Sequence, residues 1–129
     1  MDPIDRMLAD ARQHLRRVTA EGLVRELDAG ALLIDVRPVE LQDLCGTLPG
    51  AHWIGLNVLE WRLAPSSPYR LLPLEPDTRV ILVCDEGFSS SLAAARLQAL
   101  GLAGATDLVG GFQALLETGL IDVLARRVE

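Results

Sequence analysis

Apolar residues recur at helical spacing from the start of the chain: Ile4, Met7, Leu8, Ala11 and Leu15, with Asp and Arg between them. One apolar and one charged face predict an amphipathic helix. Such a face packs on its own domain or meets a partner, so a homodimer through this helix is an open alternative. Thr19 is placed to cap a second helix that runs to about Asp28 and stops at Ala29-Gly30. The pattern then changes. Ala31 to Val36 is an apolar run closed by Asp35, Arg37 and Pro38, which reads as a strand buried on both faces, as parallel strands are. Pro38 to about Leu44 predicts a short helix, Leu48-Pro49-Gly50-Ala51 a turn, His52 to Ile54 a short strand, and Asn57 caps a helical turn through Leu63.

From Ala64 to Asp77 four prolines and the adjacent Ser66 and Ser67 predict the one long surface loop. Arg79 to Val83 is the clearest strand and ends at Cys84. Asp85 to Ser89 is a tight loop, and Ser90 to Leu100 a helix stopped by Gly101. Thr106 to Val109 is a last strand, Gly110-Gly111 a turn, and Phe112 to Glu117 a helix closed by Gly119. Strands alternating with helices give an α/β fold with a mostly parallel central sheet and helices on both faces. Residues 1–16 read as an N-terminal helical extension and 17–129 as the domain itself.

Composition narrows the chemistry. A chain of 129 residues, half of them apolar, is the size of one domain and can build a core without disulfides or metal. Its apolar runs are too short to cross a membrane, and charge interrupts the N-terminus where a secretory signal needs an apolar stretch. All 12 basic residues are Arg. The absence of Lys excludes Schiff-base chemistry and a P-loop lysine. A net charge of −6 argues against nucleic acid and anionic membranes as partners. Two cysteines, Cys45 and Cys84, and two histidines, His14 and His52, match no disulfide framework and no metal-ligand spacing. The expectation is a cytoplasmic protein with free thiols, no metal and no cofactor.

The chemistry is expected where Val83-Cys84-Asp85-Glu86-Gly87-Phe88-Ser89-Ser90 passes from strand to helix. Ligands of open α/β sheets bind beyond the carboxyl ends of the strands. A loop wrapped there can turn several N–H groups on one point, beside the positive end of the next helix. A cysteine in that place has a stabilised thiolate, which is its nucleophilic form. Gly87 opens backbone angles closed to other residues, and Ser89 and Ser90 can cap the helix or donate into the loop. A buried structural cysteine is the alternative reading of the position alone.

These residues resemble the single-domain rhodanese family of sulfurtransferases. Cys84, Gly87, Ser89 and Ser90 fit its active-site loop. Leu33-Ile34-Asp35-Val36-Arg37 resembles its first-strand signature, Gly46-Thr47-Leu48-Pro49-Gly50-Ala51 its Gly-His-Ile-Pro-Gly-Ala turn, and Val109-Gly110-Gly111-Phe112 the Gly-Gly-aromatic start of its last helix. The order and spacing extend over roughly Arg17 to Leu120 and imply the family's three-layer fold. Departures from the pattern are Thr47 in place of a common His, Leu115 in place of a common Trp, and two acids, Asp85 and Glu86, inside the loop.

The resemblance implies a Cys84 persulfide. The thiolate takes a sulfane sulfur from thiosulfate or a protein persulfide and passes it to a thiol or cyanide, with loop amides from Glu86 to Ser90 holding the charge. Asp85 and Glu86 repel dianionic thiosulfate, so a less anionic donor or acceptor suits the loop better. Arg62 is a candidate substrate-facing cation. Asp35 and Arg37 are supporting residues, Arg37 reading most simply as an ion pair with Asp35 or Glu40. Trp61 reads as core and His52 as an exposed strand residue without a catalytic role. Cys45 can serve as a resolving thiol only if its Cα comes within about 7 Å of that of Cys84. A phosphatase-type loop wants Arg six residues after the cysteine, where Ser90 stands. A non-catalytic rhodanese-like binding module is the remaining alternative, against which the retained Cys84 speaks.

Overall fold

Strands β1 (Leu32–Asp35), β2 (His52–Trp53), β3 (Val80–Val83) and β4 (Ala105–Asp107) form one parallel sheet in the order β2-β1-β3-β4. The coordinates are a computed structural model that describes all of Met1–Glu129. Seven helices complete the chain: α1 (Pro3–Arg12), α2 (Leu23–Asp28), α3 (Val39–Cys45), α4 (Leu59–Leu63, after a 3-10 turn at Leu56–Val58), α5 (Ser89–Ala99), α6 (Gly111–Glu117) and α7 (Leu120–Arg127). None is long and apolar enough to cross a membrane.

The two-residue period of a strand sorts the core into two layers. Ile34, Val80, Leu82 and Cys84 face one side, where Leu59 and Leu63 of α4 and Ala93, Ala94 and Leu97 of α5 cover them. Leu33, Ile81 and Val83 face the other, under Leu23 of α2, Phe112 and Leu115 of α6, and Leu124 of α7. The expected α/β architecture with helices on both faces is therefore present, and every strand pair is parallel. Cys84 belongs to the first layer and Cys45 packs against the second, and both thiols are free.

Some boundaries differ from the sequence expectation. Helix α1 is capped by the Asp2 carboxylate, which accepts the Ile4 N–H at 3.2 Å, and ends at Arg12. Leu15 lies beyond the helix and is buried in the first core layer. Thr19 does not cap α2: its hydroxyl accepts the Gly22 N–H at 3.2 Å, closing a turn, and α2 starts only at Leu23. Trp61 is 58% exposed rather than core, because helical spacing sends Leu59 and Leu63 inward and the residue between them outward. Helix α7 is an element that turn and strand signals do not announce. It buries Leu124 and tucks Leu120 and Ile121 against the second layer.

Candidate active site

Cys84 directly follows β3 and is 5% exposed. Its Sγ accepts the Gly87 N–H at 3.1 Å and the Ser90 N–H at 3.4 Å. The Ser90 hydroxyl lies 3.1 Å from the same sulfur. These are two backbone donors and one hydroxyl around one atom, at the N-terminus of an 11-residue helix. Such an arrangement favours an anionic sulfur. Of the loop amides expected to point inward, Gly87 and Ser90 do so.

The loop owes its shape to close backbone contact. Gly87 has φ +91°, and a Cβ there would stand 2.8 Å from Gly110 N. Gly111 is packed as tightly from below, where a Cβ would meet the Cys84 carbonyl oxygen at 2.5 Å. That contact lets the first turn of α6 donate to the loop, with Phe112 N–H on the Cys84 carbonyl at 2.9 Å and Gln113 N–H on the Asp85 carbonyl at 3.0 Å.

Beneath the loop lies a polar network of which Ser90 alone is expected from the sequence. Register pairs Leu82 of β3 with Asp107 of β4, so Asp107 shares a sheet face with Leu82 and Cys84, under the start of α5. The Asp107 side chain is fully buried. Its carboxylate accepts the Ser90 and Ser91 hydroxyls at 2.7 Å each and both arms of Arg17 at 2.8 and 3.2 Å. Arg17 is delivered there because Val18 pairs with Leu108 as a single-residue extension of the sheet. Arg12, the last residue of α1, donates to the Ser91 hydroxyl at 2.9 Å and to the Gly87 carbonyl at 2.8 Å. Burial, and then the Arg17 charge, push Arg12 below the usual arginine range, while Asp107 and Cys84 push it back up. Asp107 carried one usable signal, a carboxylate inside the apolar stretch Ala105 to Val109, which burial obliges to find partners. Arg12 and Arg17 carried none, being 75 and 70 residues from Gly87 along the chain.

The other expected site residues divide. Asp85, Glu86, Phe88 and Ser89 line a shallow open depression over Cys84. Within it Asp85 is tied back by the Gln113 amide at 2.9 Å, while Glu86 and Phe88 are exposed. Arg62 lines a different groove, with Asn57, Val58, Trp61 and Tyr69, and is not brought to the loop. Arg37 is buried and grips Asp35 with two arms at 3.1 and 2.9 Å, the first of the two partners expected of it. Its guanidinium also donates to the Gly46 carbonyl and stacks 3.6 Å over the Phe112 ring. Asp35 and Arg37 therefore support the element that holds the Cys84 carbonyl. His52 is exposed on β2.

Known proteins share this fold. The family model of the rhodanese-like domain matches residues 19–118. A maize (Zea mays) protein, adenylyltransferase and sulfurtransferase MOCS3-2, is 32% identical over 100 residues, which is 76% of this chain and 20% of that protein. The chain thus spans a fifth of that relative's length. The human single-domain sulfurtransferase TSTD1 superposes with a TM-score of 0.64 at 26% identity, covering 78% of this chain and 95% of the other. A Rhodopseudomonas palustris protein of unknown function, described as a possible tyrosine phosphatase, superposes with a TM-score of 0.78 at 26% identity, covering 92% of each chain. On the family match over most of its length, the chain belongs to the rhodanese-like domain family.

Proposed function

We propose that the protein is a sulfurtransferase whose nucleophile is Cys84. The observation that carries the reading is the cysteine itself, held at a strand end with two backbone N–H groups and a hydroxyl on its sulfur. Sulfurtransferases among its relatives support the same class. The Cys84 thiolate attacks the sulfane sulfur of a donor, forming a new S–S bond. With thiosulfate, the bond to the sulfonate breaks and sulfite leaves with the electron pair. Cys84 is left as a persulfide anion, and the total charge is unchanged. A thiolate or cyanide then attacks the outer sulfur, and the Cys84 thiolate is restored. The Gly87 and Ser90 amides hold the Cys84 thiolate before loading and after release, and no separate base is required once the thiolate is formed.

The depression over Cys84 favours a donor less anionic than thiosulfate. Glu86 faces solvent there and Phe88 offers an exposed ring, which suits a persulfide on an organic or protein thiol. The phosphatase reading lacks its clamp: Ser90 stands six residues after Cys84, and the nearby Arg12 is engaged with the Gly87 carbonyl and Ser91. The test is thiocyanate formation from cyanide with a panel of sulfane donors. Turnover with at least one donor, abolished by Cys84→Ser, is expected. No turnover with any donor would favour a non-catalytic binding module.

A further inference from the structure

Two cations reach the nucleophile loop from outside it. The loop from Cys84 to Ser91 has no basic residue and contains two acids. Arg12 and Arg17 both donate to the Gly87 carbonyl, at 2.8 and 3.1 Å, and both precede residue 19, where the family match begins. Arg12 also holds Ser91, and Arg17 holds Asp107. The peptides here are trans, so pinning the Gly87 carbonyl toward α1 turns the Phe88 N–H the opposite way and fixes the plane next to the amide that serves Cys84. The charges around the network are unequal. Arg12 and Arg17 contribute two positive charges and Asp107 one negative. A thiolate on Cys84 offsets that surplus of one, while Asp85, tied to Gln113, and the exposed Glu86 stand outside the network.

We propose that Arg12 is a positioning residue that clamps the loop through Gly87 and supplies the counter-charge of the Cys84 anion, which makes helix α1 part of the reactive site. The inference rests on Cys84 being the nucleophile but not on any particular sulfur donor. It also accounts for an acidic loop carrying an anionic sulfur: the missing cation comes from outside the loop, on a part-buried side chain bonded directly to it.

The test compares alkylation of Cys84 in the full chain by iodoacetate, an anion, and iodoacetamide, which is neutral. The ratio of the two rates reads local charge, which a purely structural role does not move. In Arg12→Gln the ratio should fall roughly three- to tenfold, the effect of losing one nearby charge in a half-aqueous setting. Arg12→Lys keeps the charge and should hold the ratio within about twofold of wild type, though it loses the two-armed grip. Arg12→Met is a second neutral variant should Gln not be tolerated, and a thermal unfolding transition verifies each fold. Arg127→Gln, which removes an exposed partner of Asp28, is the control. An unchanged ratio in both neutral variants, or a fall in Arg12→Lys as large as theirs, overturns the proposal. Alkylation needs only a thiol, so failure of sulfur transfer with every donor would leave this result readable.

Discussion

The Ser90 hydroxyl stands 2.7 Å from the Asp107 carboxylate and 3.1 Å from Cys84 Sγ, so one side chain joins a buried acid to the nucleophile. A hydroxyl has one proton to give. With a neutral thiol, Ser90 donates to Asp107 and accepts from Cys84. With an anionic sulfur it can turn toward Cys84, because Asp107 retains Ser91 and Arg17.

Ser90→Ala removes that adjustable donor and leaves the Gly87 and Ser90 amides in place. Sulfur loading of Cys84 should slow about three- to tenfold, the equivalent of one hydrogen bond to a charged group. Single-turnover loading kinetics measure it. A rate equal to wild type would remove the hydroxyl from the account.

The acids of the loop should act on donor choice. Asp85→Asn combined with Glu86→Gln removes two negative charges beside the nucleophile, one tied to Gln113 and one exposed. The KM for thiosulfate should fall about threefold or more, with a smaller change for a neutral organic persulfide. Steady-state kinetics with both donors check it, and equal changes for the two would contradict a charge effect.

Gly87→Ala should separate loop shape from loop chemistry. The residue must take φ +91°, and its new Cβ would press on Gly110 N. The strained conformation alone costs about 1–2 kcal/mol, and relief of the contact must shift the amide that serves Cys84. A lower Tm together with a loss of activity larger than that of Ser90→Ala is expected.

Arg37→Ala leaves the buried Asp35 carboxylate without its partner and strips the cation from the Phe112 ring. Breaking a buried pair from one side costs about 3–5 kcal/mol. Chemical denaturation should show a large loss of stability. Stability unchanged within error would mean that Asp35 finds another partner.

Much of this was legible in the chain because it is local. The apolar run of Arg79 to Val83, the cysteine at its end and the following serines place a nucleophile between strand and helix without long-range information. The Asp35–Arg37 pair, two residues apart, is of the same kind. What was not legible depends on distant segments meeting. Arg12 and Arg17 come to Gly87 only because α1 lies against α5 and Val18 pairs beside β4. Residue type alone suggests that a large aromatic such as Trp61 is core, while its neighbours at helical spacing, Leu59 and Leu63, decide which side of α4 is inside. Charge alone makes Arg62 a candidate, but its groove is fixed by the chain beyond α4, where its guanidinium faces the Tyr69 carbonyl at 3.4 Å.

The central claim is that Cys84 carries the transferred sulfur, and intact-mass measurement after incubation with a donor tests it most directly. The protein should gain the mass of one sulfur atom with at least one sulfane donor, mapped to Cys84 by peptide analysis, lost on adding cyanide, and absent in Cys84→Ser. No gain with thiosulfate, an organic persulfide or a protein persulfide, or a gain that maps to Cys45, would contradict it.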